Sequence, residues 1–241
     1  PAAATGVANK QVNYTVVKYS PVANRIIIAT QTFAGNVTAY TCDGNCTDTT
    51  HWNQKTFDGF TDGTLNTLTT GSAFRRFDLE FERRTGEAVL VWANGRDGSG
   101  STTNDLAYAT LSNNTDTWSN GLFIDDTTAV ADVNFSWIEL DPNPNPNSNE
   151  IIIGGQQSTT GTTTGPIVVA WVWNGETNAI ISNVQVATGI LASPASKPWD
   201  VKYNYDGSKG MVAAGNTVTA NDRIESRYWN GTSWTVMVDK T

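Results

Sequence analysis

Side chains that could do chemistry are unevenly distributed in this chain. His51 is the only histidine. A Ser-His-Asp or Cys-His relay would have to run through it, yet it stands beside Trp52 in a turn-rich stretch. Asp and Glu together number 23. Some pair will always suit the separation that glycoside hydrolysis needs, and the sequence singles none out. No glycine-rich loop opens a helix, so a phosphate cradle has no support. On these residues the chain reads as a non-enzyme, with no catalytic residue to name.

Other groups suggest binding or covalent structure. Cys42 and Cys46 flank Asp43-Gly44-Asn45, which is strong turn chemistry, so a local disulfide is expected over two free thiols or a metal site. A disulfide points to an oxidising compartment. No metal site is expected beyond weak calcium candidates, where hard oxygen ligands cluster at Asp43 and Asp48 and again at Asp97 and Asp105. Ordinary Asx turns use the same residues. Asn-X-Ser/Thr sequons fall at Asn13, Asn36, Asn45, Asn113, Asn134 and Asn230, each a glycosylation candidate in a secreted chain. Trp52, Trp118, Trp229 and Trp234 recur near turns. They are candidates for stacking on sugar rings, with packing between repeated units as the competing role.

Composition narrows the partners. The 241 residues include 9 Trp, 7 Tyr and 8 Phe, and only 16 % are charged. Such aromatic content suits a packed core rather than a disordered chain. The formal net charge of −8 argues against nucleic acid, whose binders concentrate Lys and Arg. No apolar run nears the roughly 18 residues that span a bilayer. The start Pro1-Ala2-Ala3-Ala4 reads as processed or trimmed.

These residues must be positioned by elements, and the elements repeat. Thr15–Tyr19, Phe77–Phe81, Ser136–Leu140 and Trp199–Tyr203 share one alternating pattern. Taking Val17, Leu79, Ile138 and Val201 as equivalent gives steps of 62, 59 and 63 residues. Alternation marks each as a half-buried strand. A turn follows each, then a continuous apolar run suited to a strand buried on both faces: Ile26–Ala29, Ala88–Trp92, Ile151–Ile153 and Met211–Ala214. Third strands end in aromatics, and a tight turn leads to a fourth strand. Tyr228-Trp229-Asn230-Gly231-Thr232-Ser233-Trp234 is the clearest hairpin. Four antiparallel strands per unit describe a propeller blade. The expected fold is therefore all-β and propeller-like, with units at about 12–73, 74–133, 134–196 and 197–241 and a duplicated β-sandwich as the alternative. Residues 1–11 are expected to be a tail or an exchanged strand. The column Lys18, Glu80, Glu139, Lys202 would place opposite charges between neighbouring units one and two, and three and four.

Ser112-Asn113-Asn114-Thr115-Asp116-Thr117-Trp118 and Trp229-Asn230-Gly231-Thr232-Ser233-Trp234 resemble the Asp-box type of hairpin. Such hairpins decorate sialidase-like and other secreted propellers, and the units also resemble repeats of secreted or surface bacterial proteins. The resemblance implies a propeller. It does not carry the sialidase site across. That site needs three arginines around a carboxylate, whereas five of the eight arginines here (Arg75, Arg76, Arg83, Arg84 and Arg96) lie in one unit.

The expected role is that of an extracellular or cell-surface structural or adhesive repeat protein, a subunit of a surface assembly or filament. Its expected partners are copies of itself, other surface proteins or glycans. A carbohydrate-binding lectin-like propeller is the first alternative and a sialidase-like glycoside hydrolase the second. Calcium is the one cofactor these residues suggest.

Overall fold

A computed structural model describes residues 12–32, 36–57, 74–93, 106–124, 134–158, 167–188, 196–216 and 223–236. The N-terminal segment 1–11 and the calcium candidates Asp97 and Asp105 lie outside them. The fold is all-β, with four four-stranded antiparallel sheets. Blade 1 holds β1 (Val12–Tyr19), β2 (Arg25–Thr32), β3 (Val37–Asp43) and β4 (Trp52–Phe57), with one 3-10 turn at Thr49–His51. Blade 2 holds β5 (Phe77–Phe81), β6 (Ala88–Ala93), β7 (Leu106–Leu111) and β8 (Leu122–Ile124). Blade 3 holds β9 (Asn134–Pro142), β10 (Glu150–Ser158), β11 (Ile167–Asn174) and β12 (Ala179–Thr188). Blade 4 holds β13 (Trp199–Tyr203), β14 (Gly210–Asn216), β15 (Arg223–Trp229) and β16 (Trp234–Val236). In every sheet the strands lie side by side in chain order. The first strands β1, β5, β9 and β13 neighbour one another in sequence around an axis. The duplicated sandwich is not formed.

Strand alternation gives each blade two faces. One face meets the preceding blade and the other the following blade, and three apolar cores result. Val16, Ile27 and Ala29 pack on Phe77, Leu79 and Leu90. Val89, Val91 and Tyr108 pack on Leu140, Ile151 and Trp173. Ile152, Ala170 and Val172 pack on Trp199, Val201 and Val212. Blade 3 approaches blade 4 closely because Gly154 has no side chain where the Trp199 ring lies against it.

Hairpin register corrects one sequence equivalence. Tyr19, Phe81, Pro142 and Tyr203 each close the first hairpin, opposite Ile26, Ala88, Ile151 and Gly210. Counting back, Val17, Leu79, Leu140 and Val201 are equivalent, in steps of 62, 61 and 61 residues. Leu140 therefore takes the place expected of Ile138. The turn at 143–150 is two residues longer than those at 20–25, 82–87 and 204–209, and a two-residue slip keeps every side chain on its face.

The short turns interlock at one end of the blades. Arg25, with a buried side chain, donates to Asn113 Oδ1 (3.2 Å) and pairs with Asp116, holding the third turn of blade 2 against blade 1. Asn113 in turn donates to the Thr85 carbonyl (2.9 Å). Trp173 Nε1 donates to Glu82 (2.9 Å), and Arg84 pairs with Glu176. Burial raises the Glu82 pKa despite the hydrogen bonds from Thr85 and Trp173. Asn143 donates to the Gly207 carbonyl (2.9 Å), linking blades 3 and 4. Each blade thus keys into its successor through polar turns as well as through the core.

Candidate functional site

Every first strand has a free edge toward the axis, so alternate backbone N–H groups point there without a strand partner. Carboxylates from the preceding blade take two of them. Asp78 accepts from the Leu140 N–H (2.9 Å), and Asp141 accepts from the Tyr203 N–H (2.7 Å). Asp78 is almost fully buried, and that burial raises its pKa above the ordinary carboxylate range, against the pull of Arg75 and the hydrogen bond from Leu140.

Around these carboxylates stands a ring of charge. Lys18 pairs with Glu80, and Lys202 with Asp141 (2.5 Å). The expected charge alternation between blades 1 and 2 is present. The expected partnership of Glu139 with Lys202 is not, because Asp141 occupies the position equivalent to Glu80 once the register is set by the hairpins. Glu139 instead pairs with Lys197. Burial lowers the pKa of both Lys18 and Lys197.

Away from the short turns, side chains of all four blades converge over β9. Tyr14 of blade 1 meets Trp137 of blade 3 edge to face, with ring centroids 6.2 Å apart. Arg75, just before β5, donates to the Ile138 carbonyl (3.1 Å) and lies 3.5 Å from Asp78. Lys197, just before β13, pairs with Glu139 and lies 3.4 Å from Asp200. Tyr14 and Trp137 are both half-exposed. Burial raises the Tyr14 pKa, opposed by the charge of Arg75. The cluster offers aromatic surface, two cationic donors and the acceptors Glu139 and Asp200. That mixture suits a polar ligand with one apolar face.

Sequence reasoning missed this cluster. The available signal was a repeated spacing: a basic residue three places before an aspartate, Arg75 with Asp78 and Lys197 with Asp200.

The residues singled out from sequence lie elsewhere. Trp229 is 2 % exposed within the core between blades 3 and 4, and offers no face to a sugar. Trp234 packs on it, at 5.6 Å between ring centroids. Trp118 sits between blades 1 and 2, touching Phe57 (5.5 Å) and donating to Thr41 Oγ1 (3.2 Å). Trp52 is half-exposed and donates to the Cys46 carbonyl (3.1 Å). Cys42 and Cys46 form a disulfide. Asp43 lies 3.4 Å from Arg25, while Asp48 caps the 3-10 turn through Thr50 and has a lowered pKa from those hydrogen bonds. Among the described residues no group of three or more His, Cys, Asp or Glu could hold a metal. His51 Nδ1 donates to the Asp43 carbonyl (2.7 Å). Of the sequon residues, Asn45 and Asn230 are exposed, and Asn13, Asn36 and Asn113 are half-buried. No helix among the described residues is long and apolar enough to cross a membrane.

No protein-family model and no curated protein matches the chain. Solved structures do. An ancestral GH74 enzyme, AFV00434, superposes with a TM-score of 0.50 at 14 % identity, covering 95 % of this chain and 27 % of that one. The exo-beta-1,3-galactanase of Phanerochaete chrysosporium gives 0.45 at 10 % identity, covering 95 % and 50 %. The fucose-recognising six-bladed propeller lectin of Aleuria aurantia gives 0.43 at 11 % identity, covering 96 % and 64 %. At such identities the likeness is one of fold, and this chain spans only part of each of those proteins. It overturns one expectation. The sequence argued for a non-enzyme, but an enzyme, the ancestral GH74 protein, is built on this architecture. The present chain also gathers carboxylates at its axis that spacing alone could not locate.

Proposed function

We propose that the chain is a carbohydrate-binding propeller whose ligand sits against Tyr14 and Trp137 at the axis. The observation that carries this reading is the convergence of Tyr14, Arg75, Trp137 and Lys197 from four different blades onto one polar, half-exposed patch. A sugar presents C–H faces that suit aromatic rings and hydroxyls that need both donors and acceptors, and the patch supplies all three. The Asp-box-like turn at 112–118, lying between the third and fourth strands of blade 2, fits the same reading. So does the disulfide, which favours an extracellular setting. An adhesive role at a cell surface would be an expression of this binding.

A glycan array followed by titration calorimetry tests it. Trp137→Ala should weaken binding about fivefold while Trp52→Ala leaves it unchanged, since loss of a specific aromatic contact is worth roughly 1 kcal/mol. No glycan bound by the folded chain, or equal loss in both variants, would overturn the site.

Glycoside hydrolysis is the second reading. Glu139 and Asp200 both approach the Lys197 ammonium, so two carboxylates share one cation at the patch, and hydrolysis of glycosides runs on paired carboxylates. Release of reducing sugar that disappears in Glu139→Gln would support it.

A further inference from the structure

Three of the interfaces between blades are built alike, and the two terminal blades each present an unused half of the same interface. The face of blade 1 equivalent to Leu79 and Phe81, or to Val201 and Tyr203, carries Val17 and Tyr19. Those counterparts are at most 8 % exposed, whereas Val17 is 59 % and Tyr19 77 % exposed. Ile26 and Ile28 lie on the same face and are half-exposed. At the other end, the face of blade 4 equivalent to Val89 and Val91 of blade 2 carries Met211 and Ala213, with Ile224 beside them on β15. Met211 is 42 % and Ile224 56 % exposed. Blade 4 therefore does not close onto blade 1 of its own chain through these faces. Exposed apolar side chains gathered on one sheet face, beside Asp200 and Lys202 on blade 4, mark an interaction site.

We propose that the occupant is a second copy of this chain, bound head to tail, with the open face of blade 4 on the open face of blade 1. Continuity with the internal interfaces supports this, because each is formed by this same pair of faces. The polar edge matches as well. Asp78 reaches the Leu140 N–H of the following blade. Asp200 holds the Asp78 position and Val17 the Leu140 position by hairpin register. The same alternation turns the Val17 N–H toward the axis. Asp200 of one copy thus stands where it can accept from Val17 of the next, as Asp78 does from Leu140. The contact is heterologous: it uses two different patches, so it closes a ring or extends a filament.

Analytical ultracentrifugation of the 241-residue chain tests the proposal. Species of two or more copies, each of 25.9 kDa, are expected to grow with concentration. Two variants disable one face each: Val17→Glu with Tyr19→Glu, and Met211→Glu with Ile224→Glu. Each alone should sediment as a monomer with an unchanged circular-dichroism spectrum, since the altered side chains are exposed. Mixed one to one, they should recover a two-copy species, because each still carries the face the other lacks. A wild-type chain that stays monomeric at high micromolar concentration would overturn the proposal. So would variants that still associate, or a mixture that fails to recover association while both partners remain folded.

Discussion

Blade 3 and blade 1 present nearly the same kind of sheet face to whatever precedes them, and only one is covered. On blade 3, Leu140, Ile151 and Ile153 are at most 3 % exposed because blade 2 lies on them. On blade 1, Val17 and Tyr19 hold the corresponding first-strand positions and stand mostly in solvent. The second strands show the same contrast. All of β6 is buried, while β2 and β14 alternate between buried and more exposed residues. An apolar pattern encodes which side of a strand seeks a partner. It does not say whether the partner is present.

Truncating equivalent residues should separate the two faces most strongly. Leu140→Ala should destabilise the fold by about 2–5 kcal/mol, through lost burial and the cavity left behind. Val17→Ala should change the stability of the monomer by no more than about 0.5 kcal/mol. Urea denaturation of both variants reads the difference, and similar losses would show that the blade 1 face is covered in solution.

A smaller difference is expected at the carboxylates. Asp78→Ala strands a buried Leu140 N–H and should cost about 1–3 kcal/mol. Asp200→Ala, at the equivalent but exposed position, should cost far less. Thermal melts at one pH compare them directly.

Asp78 also makes the stability of the covered face depend on pH. Its pKa is raised in the folded chain, so the native state keeps this proton more readily than the unfolded one. The associated stability is fully present below the unfolded carboxylate pKa of about 4 and is lost as pH rises through the folded value. Asp78→Asn should remove that decline while leaving an oxygen to accept from Leu140. A melting series across the acidic range would show a flatter profile above pH ~4 than in the wild type, and an unchanged slope would mean that Asp78 does not titrate there.

The smallest effect is expected at the ion pair between Lys18 and Glu80. Lys18 is about a third exposed and Glu80 is not. Lys18→Glu should cost about 0–1 kcal/mol, shrinking as salt is added. Denaturation at low and high ionic strength checks it, and a cost that does not respond to salt would point to packing instead.

Much of the blade architecture was legible in the chain. Period-two alternation, turn residues at regular intervals and the Asn230-Gly231 hairpin foretold four antiparallel strands in each of four units. The Asp43-Gly44-Asn45 turn foretold the disulfide. The register of the third unit was not legible. Ile138 and Leu140 share a face two residues apart, and only the longer turn at 143–150 decides between them. That shift is also why sequence spacing aligns Glu139 with Lys202 when Asp141 is the actual partner. The axial cluster was hidden for a related reason: Tyr14, Arg75, Trp137 and Lys197 are far apart in sequence and meet only through the ring of blades. For the four tryptophans, recurrence at a turn marks a packing position as readily as a binding one, and of them Trp229 is taken up by the core.

What this sequence determined unaided is local: where strands begin and end, which side of each is apolar, and where the chain must turn. These depend on backbone preference and on side chains that alternate within a few residues. Only the tertiary structure decided which apolar faces are covered, which carboxylates are desolvated and which side chains share the axis, because burial and Coulomb interaction depend on distances across blades that no run of neighbouring residues contains.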